Sequence, residues 1–194
     1  MDNYLKIFKN HTEYEQYKNG GNEMPVVSHC LDDVETHTEC IVIPVIKCIY
    51  EITSTTEDVL LTYMNGYADA NFSSMKVDGV ELQNLLDTYR FSTLGMHTAE
   101  FILKNPTNVN AQLFADDNGL TSLRSIELPS TVNYIEMGAL HNCGVETIIM
   151  NSDVPPSLQS SLCTNQSLEI RVPTVNAYKA DSNWSYYENY IVQK

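Results

Sequence analysis

Ile126, Ile148 and Ile170 recur with a constant period of 22, and Leu128, Met150 and Val172 repeat it two positions later. Val132 and Val154, Leu140 and Leu162, and Cys143 and Asn165 keep the same register, while Pro129 and Pro173 fall two periods apart. A spacing in the range of roughly 20–29 residues is that of a short coil repeated along the chain. One coil has an apolar side that it cannot bury by itself, and stacked coils share a continuous interior. Strand alternation then assigns directions. In Arg124-Ser-Ile-Glu-Leu128 the inward residues are Ile126 and Leu128, and Ser125 and Glu127 face out. Ile148 and Met150 are the inward pair of the second unit, and Ile170 and Val172 of the third. These six form the expected repeat core, with Cys143 and Asn165 at the corner that caps the turn. A fainter unit starts at Pro106, where Val109 precedes Val132 by one position more than the period.

The last unit ends differently. Between Pro173 and Ile191 lie the chain's single tryptophan, Trp184, and Tyr178, Tyr186, Tyr187 and Tyr190. An open stack needs a closing element. A short helix near Val175–Ala180 that lays Tyr178 and Trp184 over the final coil, with Tyr187 beside them, would serve as the cap. An aromatic cluster also suits a sugar platform; its position at the end of the stack favours the cap.

Residues 40–108 read as strands. Cys40-Ile-Val-Ile-Pro-Val-Ile-Lys-Cys-Ile-Tyr-Glu-Ile52 is rich in β-branched residues, and Pro44 within it requires an edge, a bulge or a break. Val59–Met64, Ser74–Val77, Tyr89–Thr93 and His97–Lys104 follow, and Asp78-Gly79 is a hairpin-turn signal. Strands at this spacing predict a small β-sandwich of the Ig-like kind. Residues 1–39 hold a capping-box form at Thr12 and Glu15, which predicts a helix over 12–18, and an extended stretch from Met24 to Cys30. They have too few apolar residues for a core of their own and are expected to dock on something else. The expected organisation is thus mainly β: a docking segment over 1–39, a sandwich-like module over 40–108, and repeats with their cap over 109–194.

The formal net charge of −14 disfavours wrapping nucleic acid or adsorbing to an anionic membrane, since both need cationic surface. No apolar run approaches the roughly 20 residues that span a bilayer, and residues 1–10 lack the layout of a signal peptide, so neither membrane insertion nor Sec export is expected. Ser, Thr and Asn supply 49 of the 194 residues, a palette suited to exposed β-rich modules. The five cysteines, Cys30, Cys40, Cys48, Cys143 and Cys163, include no C-x-x-C pair and read as small buried residues. His29, Cys30 and His37 lie near Asp32, Asp33 and Glu35, but the spacing fits no metal site and a polar loop is the better reading. There is no nucleophile elbow, H-E-x-x-H, Walker loop or glycine fingerprint. Asp116-Asp117, side by side on an extended segment, point apart and read as a charged turn. No catalytic residue, cofactor or metal is expected.

The run Leu123-Arg-Ser-Ile-Glu-Leu-Pro-Ser-Thr-Val132, continuing through Ile135 and Ala139-Leu140 to Cys143, resembles the BspA-type leucine-rich repeat. The ending from Val172-Pro173 through Ala177-Tyr178-Lys179, Trp184, Tyr187 and Tyr190-Ile191 is similar to the usual terminator of such arrays. Tyr50-Glu-Ile-Thr-Ser-Thr, Met75–Val80, Tyr89–Thr93 and Gly95-Met-His-Thr followed by Phe101–Pro106 resemble the β-rich module that often precedes these repeats. Phe8-Lys-Asn-His-Thr-Glu-Tyr-Glu and Pro25-Val-Val-Ser-His-Cys look like the N-terminal piece of proteins from gut anaerobes and their tailed phages, including crAss-like phages. The resemblance implies a short leucine-rich-repeat solenoid and a non-enzymatic virion structural protein: a head-fibre, capsid-decoration or tail-appendage subunit, assembled in the host cytoplasm. The implied partners are other virion proteins, contacted through residues 1–39, a second copy of the chain in a homo-oligomer (a trimer by analogy with appendages), and a glycan or protein on the host surface. A bacterial cell-surface adhesin fragment of the same repeat type is the alternative.

Overall fold

The structure, a computed structural model, describes residues 28–29, 41–63, 66–115, 122–141, 143–162 and 167–194. It is mainly β. The chain divides into two compact units, residues 1–43 and 44–194. In the first, β1 (Ser28–His29) pairs antiparallel with β2 (Ile41–Val42). The expected helix over 12–18 lies outside the described residues. Of the edge, bulge or break that Pro44 requires in the run 40–52, the chain takes the break, at Ile43-Pro44, where proline has no N–H for a ladder. The first part of the run joins the first unit and its second part becomes β3 (Val45–Ile52) of the second.

The second unit is built on one eight-stranded mixed sheet. Its remaining strands are β4 (Val59–Leu60), β5 (Phe72–Val77), β6 (Val80–Glu81), β7 (Thr88–Tyr89), β8 (Gly95–Leu103), β9 (Asn108–Val109), β10 (Leu123–Leu128), β11 (Tyr134–Ile135), β12 (Thr147–Met150), β13 (Ser157–Leu158), β14 (Glu169–Val172) and β15 (Ile191–Gln193). Helix α1 covers Tyr67–Asn71 and α2 covers Val175–Ala180. The large sheet runs β15-β14-β12-β10-β3-β8-β5-β6. Its first four members are parallel, and from β3 onward each neighbour is antiparallel.

The parallel half is wound as coils. The crossover from β10 to β12 carries β11, and that from β12 to β14 carries β13. With β9 these short strands form a second parallel sheet, β13-β11-β9. The crossover from β14 to β15 carries α2 and a 3-10 turn (Ser185–Tyr187) instead. Ile126, Ile148 and Ile170 stand side by side in neighbouring strands. The full cross-sheet row is Val77, Ala99, Cys48, Ile126, Ile148, Ile170 and Ile191, seven strands wide and buried throughout. Leu128, Met150 and Val172 are also fully buried. One apolar cluster takes in this row, Tyr50, Phe72, Phe91, Phe101 and Phe114, and the aromatics of the last crossover.

Three expectations are corrected by this arrangement. Residues 40–108 do not close as a separate sandwich: β3 pairs with β8 on one edge and β10 on the other, so the sheet crosses the expected boundary at 108/109 without a break. Val109 stands opposite Ile135 and not opposite Val132. Val154 leaves its expected column: Val132 is buried, whereas Val154 is 72% exposed. The Ser152 hydroxyl donates to the Val154 carbonyl (2.7 Å) and accepts from its N–H, which turns the chain outward here, and Pro156 is buried instead.

Replacing a buried aliphatic by alanine removes transfer free energy and leaves a cavity. Ile148→Ala is therefore expected to cost about 2–5 kcal/mol in denaturant unfolding. Ile149→Ala, one residue on and facing out, should cost about 1 kcal/mol or less. The reverse order would reject the inward and outward assignment.

Candidate functional site

The six expected core residues sit in the interior and present nothing to a ligand. The cap is more informative. Pro173 and Thr174 end β14, and the Thr174 hydroxyl donates to the Asp153 carbonyl (2.5 Å), fixing the start of α2 on the preceding coil. Tyr178 and Trp184 pack edge to face, ring centroids 5.0 Å apart, and Tyr187 lies 6.2 Å from Trp184. All three are buried. Each polar tip is joined to the same crossover. The Tyr178 hydroxyl donates to the Ser152 carbonyl (2.9 Å), the Trp184 indole N–H to the Pro156 carbonyl (2.7 Å), and the Tyr187 oxygen accepts from the Leu162 N–H (2.7 Å). Burial, helped by the nearby Asp153 charge, pushes the Tyr178 hydroxyl well above its usual range, so it stays a donor. Rings enclosed in this way have no open face for a sugar. Tyr186, 73% exposed, is the member of the cluster that faces solvent.

The Leu162 contact closes a ladder along one corner of the stack. Glu136 accepts from the Ala111 N–H (2.9 Å) and from the Asn108 side-chain amide (2.5 Å). Gln159 and Ser160 accept from the N–H groups of Met137 (3.0 Å) and Gly138 (2.9 Å). Side chains of each coil thus satisfy turn amides of the coil before it. Tyr187 does so for the last. Cys143, the expected corner residue, is buried and its thiol donates to the Leu140 carbonyl (3.2 Å). Asn165 lies outside the described residues.

Two polar constellations lie in residues 44–108, and the sequence reading did not find either. The carboxylate of Asp87 accepts from the Gly66 and Ala68 N–H groups (2.7 Å each) and from the Thr62 hydroxyl (3.2 Å), and so caps α1 from a distant part of the chain. His97 is nearly buried. Its Nδ1 lies 2.7 Å from the Asp78 carboxylate and its Nε2 3.0 Å from the Thr93 carbonyl. Phe91 stacks against the ring at 4.6 Å. Both nitrogens are committed to acceptors, and neither is turned to a substrate. The pair ties the Asp78-Gly79 turn, whose φ values of 50° and 77° are those of a two-residue hairpin, to the start of β8. The alternation of His97 with Ala99, Phe101 and Leu103 already places it on the inward face of β8, which was the available signal.

Cys48 is buried, and burial pushes its thiol far up, which keeps it protonated and unreactive. Among the described residues, no group of three or more His, Cys, Asp or Glu is placed to hold a metal ion. No described helix is long and apolar enough to cross a membrane. The loop holding His37, Asp32, Asp33 and Glu35, and the Asp116-Asp117 turn, lie outside the described residues.

The outer face of the large sheet is polar over half of its width. One row across it reads Glu81, Lys76, Glu100, Lys47, Glu127, Ile149, Arg171 and Val192. Opposite charges alternate on neighbouring strands over its first five members, an arrangement that favours the pairing. At one end Arg124 bridges Glu51 (2.8 Å) and Glu146 (3.8 Å). No protein-family model matches the chain, and no curated protein matches it.

Removing the Tyr187 hydroxyl leaves the buried Leu162 N–H without that acceptor. Tyr187→Phe is expected to cost about 1–3 kcal/mol in equilibrium unfolding, with the fold retained by circular dichroism. A loss near zero would mean that water replaces the contact.

A second expectation concerns acid. Burial raises the Asp78 carboxyl, but the His97 hydrogen bond, the Thr98 N–H and the His97 charge outweigh it and hold the group below its ordinary value. A carboxylate depressed on folding stabilises above its unfolded pKa of about 3.9, and that contribution is lost as pH falls through the lower folded value. The melting-temperature gap between the wild type and Asp78→Asn should be full at about pH 5 and narrow as the pH falls through the lowered folded value. A gap that widens in acid would contradict the sign.

Proposed function

We propose that this chain is a non-enzymatic structural subunit of a tailed-phage virion, a head-fibre, capsid-decoration or tail-appendage protein, in which residues 44–194 form a rigid contact body. In this reading the evenly spaced coils are BspA-type leucine-rich repeats, and residues 1–39 dock on other virion proteins.

The observation that carries the proposal is the enclosed cap. Tyr178, Trp184 and Tyr187 are all spent on closing the stack, and the outer sheet face carries alternating charge from Glu81 to Glu127, with Ser125, Thr98 and Thr147 and the aliphatics Ile49, Ile149 and Val192 beside it. Such a body offers shape and many weak polar contacts. Contacts of this kind gain strength when many copies are displayed together, as on a particle surface. The same enclosure counts against a sugar-binding aromatic platform.

Purified particles from a culture that expresses the gene test the reading. Mass spectrometry should find the chain in the particles, and gold-labelled antibody against residues 44–194 should decorate a defined layer of head or tail. Recovery of the chain in a bacterial surface fraction, with none in the particles, would reject the virion role and support the adhesin alternative.

A further inference from the structure

Three side chains from three strand ends meet on the outer side of the parallel half-sheet. Glu127 is on β10. Asn151 follows β12 directly, its N–H donating to the Leu128 carbonyl (3.1 Å). Lys194 follows β15, its N–H donating to the Val172 carbonyl (2.9 Å). The Lys194 Nζ contacts the Asn151 side-chain carbonyl Oδ1. The Asn151 side-chain Nδ2 donates to Glu127 Oε1 (2.9 Å), and Lys194 Nζ lies 3.6 Å from that same oxygen. The side chains of Lys194 and Glu127 are about two-thirds shielded from water, with exposures of 39% and 30%.

A primary amine, a carboxamide and a carboxylate are held in one cluster: the carboxylate accepts from the amide nitrogen that would leave and lies 3.6 Å from the amine, a short side-chain movement from proton transfer. We propose that Lys194 and Asn151 join in an intramolecular isopeptide bond, formed by the chain itself with Glu127 as the proton carrier. The deprotonated Lys194 Nζ attacks Asn151 Cγ, the carbon one bond beyond the oxygen it already contacts. Glu127 accepts a proton from Nζ and delivers it to Nδ2. The Cγ–Nδ2 bond breaks, ammonia leaves, and Nζ and Cγ share a new amide bond. Nothing is oxidised or reduced, and no co-reactant is needed. Proximity supplies what a free lysine and a free asparagine lack, since a held pair reacts at a high effective concentration. A positioned carboxylate adds general acid–base help.

The bond would have a definite mechanical effect. Lys194 belongs to the end of β15 and Asn151 to the end of β12, and β14 lies between those two strands. The link would strap the last parallel strand to the body of the sheet across β14, beside the aromatic cap. The inference rests on these contacts alone and stands or falls independently of the virion reading.

Intact-mass measurement of the full-length protein, fresh and after incubation in mildly alkaline buffer, is the direct test. The expected species is one ammonia lighter than the sequence mass, and digestion should give a branched peptide joining positions 151 and 194. Lys194→Arg keeps the charge without the nucleophile and should retain the full mass. Glu127→Gln should form the bond many-fold more slowly. Unlinked peptides at both positions in the incubated wild type would overturn the proposal. So would ammonia loss that persists in Lys194→Arg, which marks a succinimide at Asn151, or simple deamidation of Asn151 to the acid. Formation at the wild-type rate in Glu127→Gln would remove Glu127 from the mechanism and overturn the proposal as stated.

Discussion

A row of seven inward side chains, Val77, Ala99, Cys48, Ile126, Ile148, Ile170 and Ile191, runs unbroken across the sheet, and the architecture of residues 44–194 follows from the need to keep that row dry. Burying apolar surface is the main favourable term in folding, at about 25 cal/mol per Å². A two-sided strand inside a stack gets that burial from its neighbours. A strand at the end of a stack has a neighbour on one side only. Two full coils are too few to average this end cost away, so each end must be closed by something other than a further coil.

The two ends are closed by different physics. At the N-terminal side, β3 turns the parallel series into an antiparallel one, and β8 and β5 extend the row by antiparallel pairing, with the β5–β6 hairpin at the edge. At the C-terminal side, Tyr178, Trp184 and Tyr187 fill the volume that a further coil would occupy, and their polar tips take up Ser152, Pro156 and Leu162 backbone groups. Aromatic residues suit this task because each brings large apolar area and a hydrogen-bonding edge. The residues N-terminal to the coils are therefore part of the coil structure. They cover Ile126 through Cys48 of β3, as β15 covers Ile170 through Ile191.

The repeat register was legible because it is a recurring local pattern: Ile126, Ile148 and Ile170 each sit in a short alternating run. The helix over Val175–Ala180 was legible for the same reason, as was the Asp78-Gly79 turn. The joining of β3 to β10 was not. Tyr50 and Leu123 are partners from distant parts of the chain, and no periodicity in either strand names the other. Asp87 as the cap of α1 and Asp78 as the partner of His97 were hidden in the same way, because a carboxylate among polar residues carries no mark of the distant amide it will accept. Val154 failed for a different reason. Its spacing was right, but a local hydrogen bond from Ser152, one that spacing does not record, turned it out of the column.

The outer face shows the complement of this logic. Alternation obliges every inward residue to be followed by an outward one, so a seven-strand apolar row brings with it a neighbouring row that water can reach. In that row Lys76, Glu100, Lys47 and Glu127 alternate in sign. Shifting one strand by a single residue would carry charges into the interior and isoleucines onto the surface, so the two rows together fix the register more firmly than either alone. The parallel end lacks that alternation: Glu127 is followed by Ile149, Arg171 and Val192. There the outward carboxylate has no lysine opposite it in the next strand, and it turns instead to Asn151 and to Lys194 arriving from β15. The one break in the charge pattern is thus where an amine, an amide and an acid are drawn together, at the edge strand of the sheet.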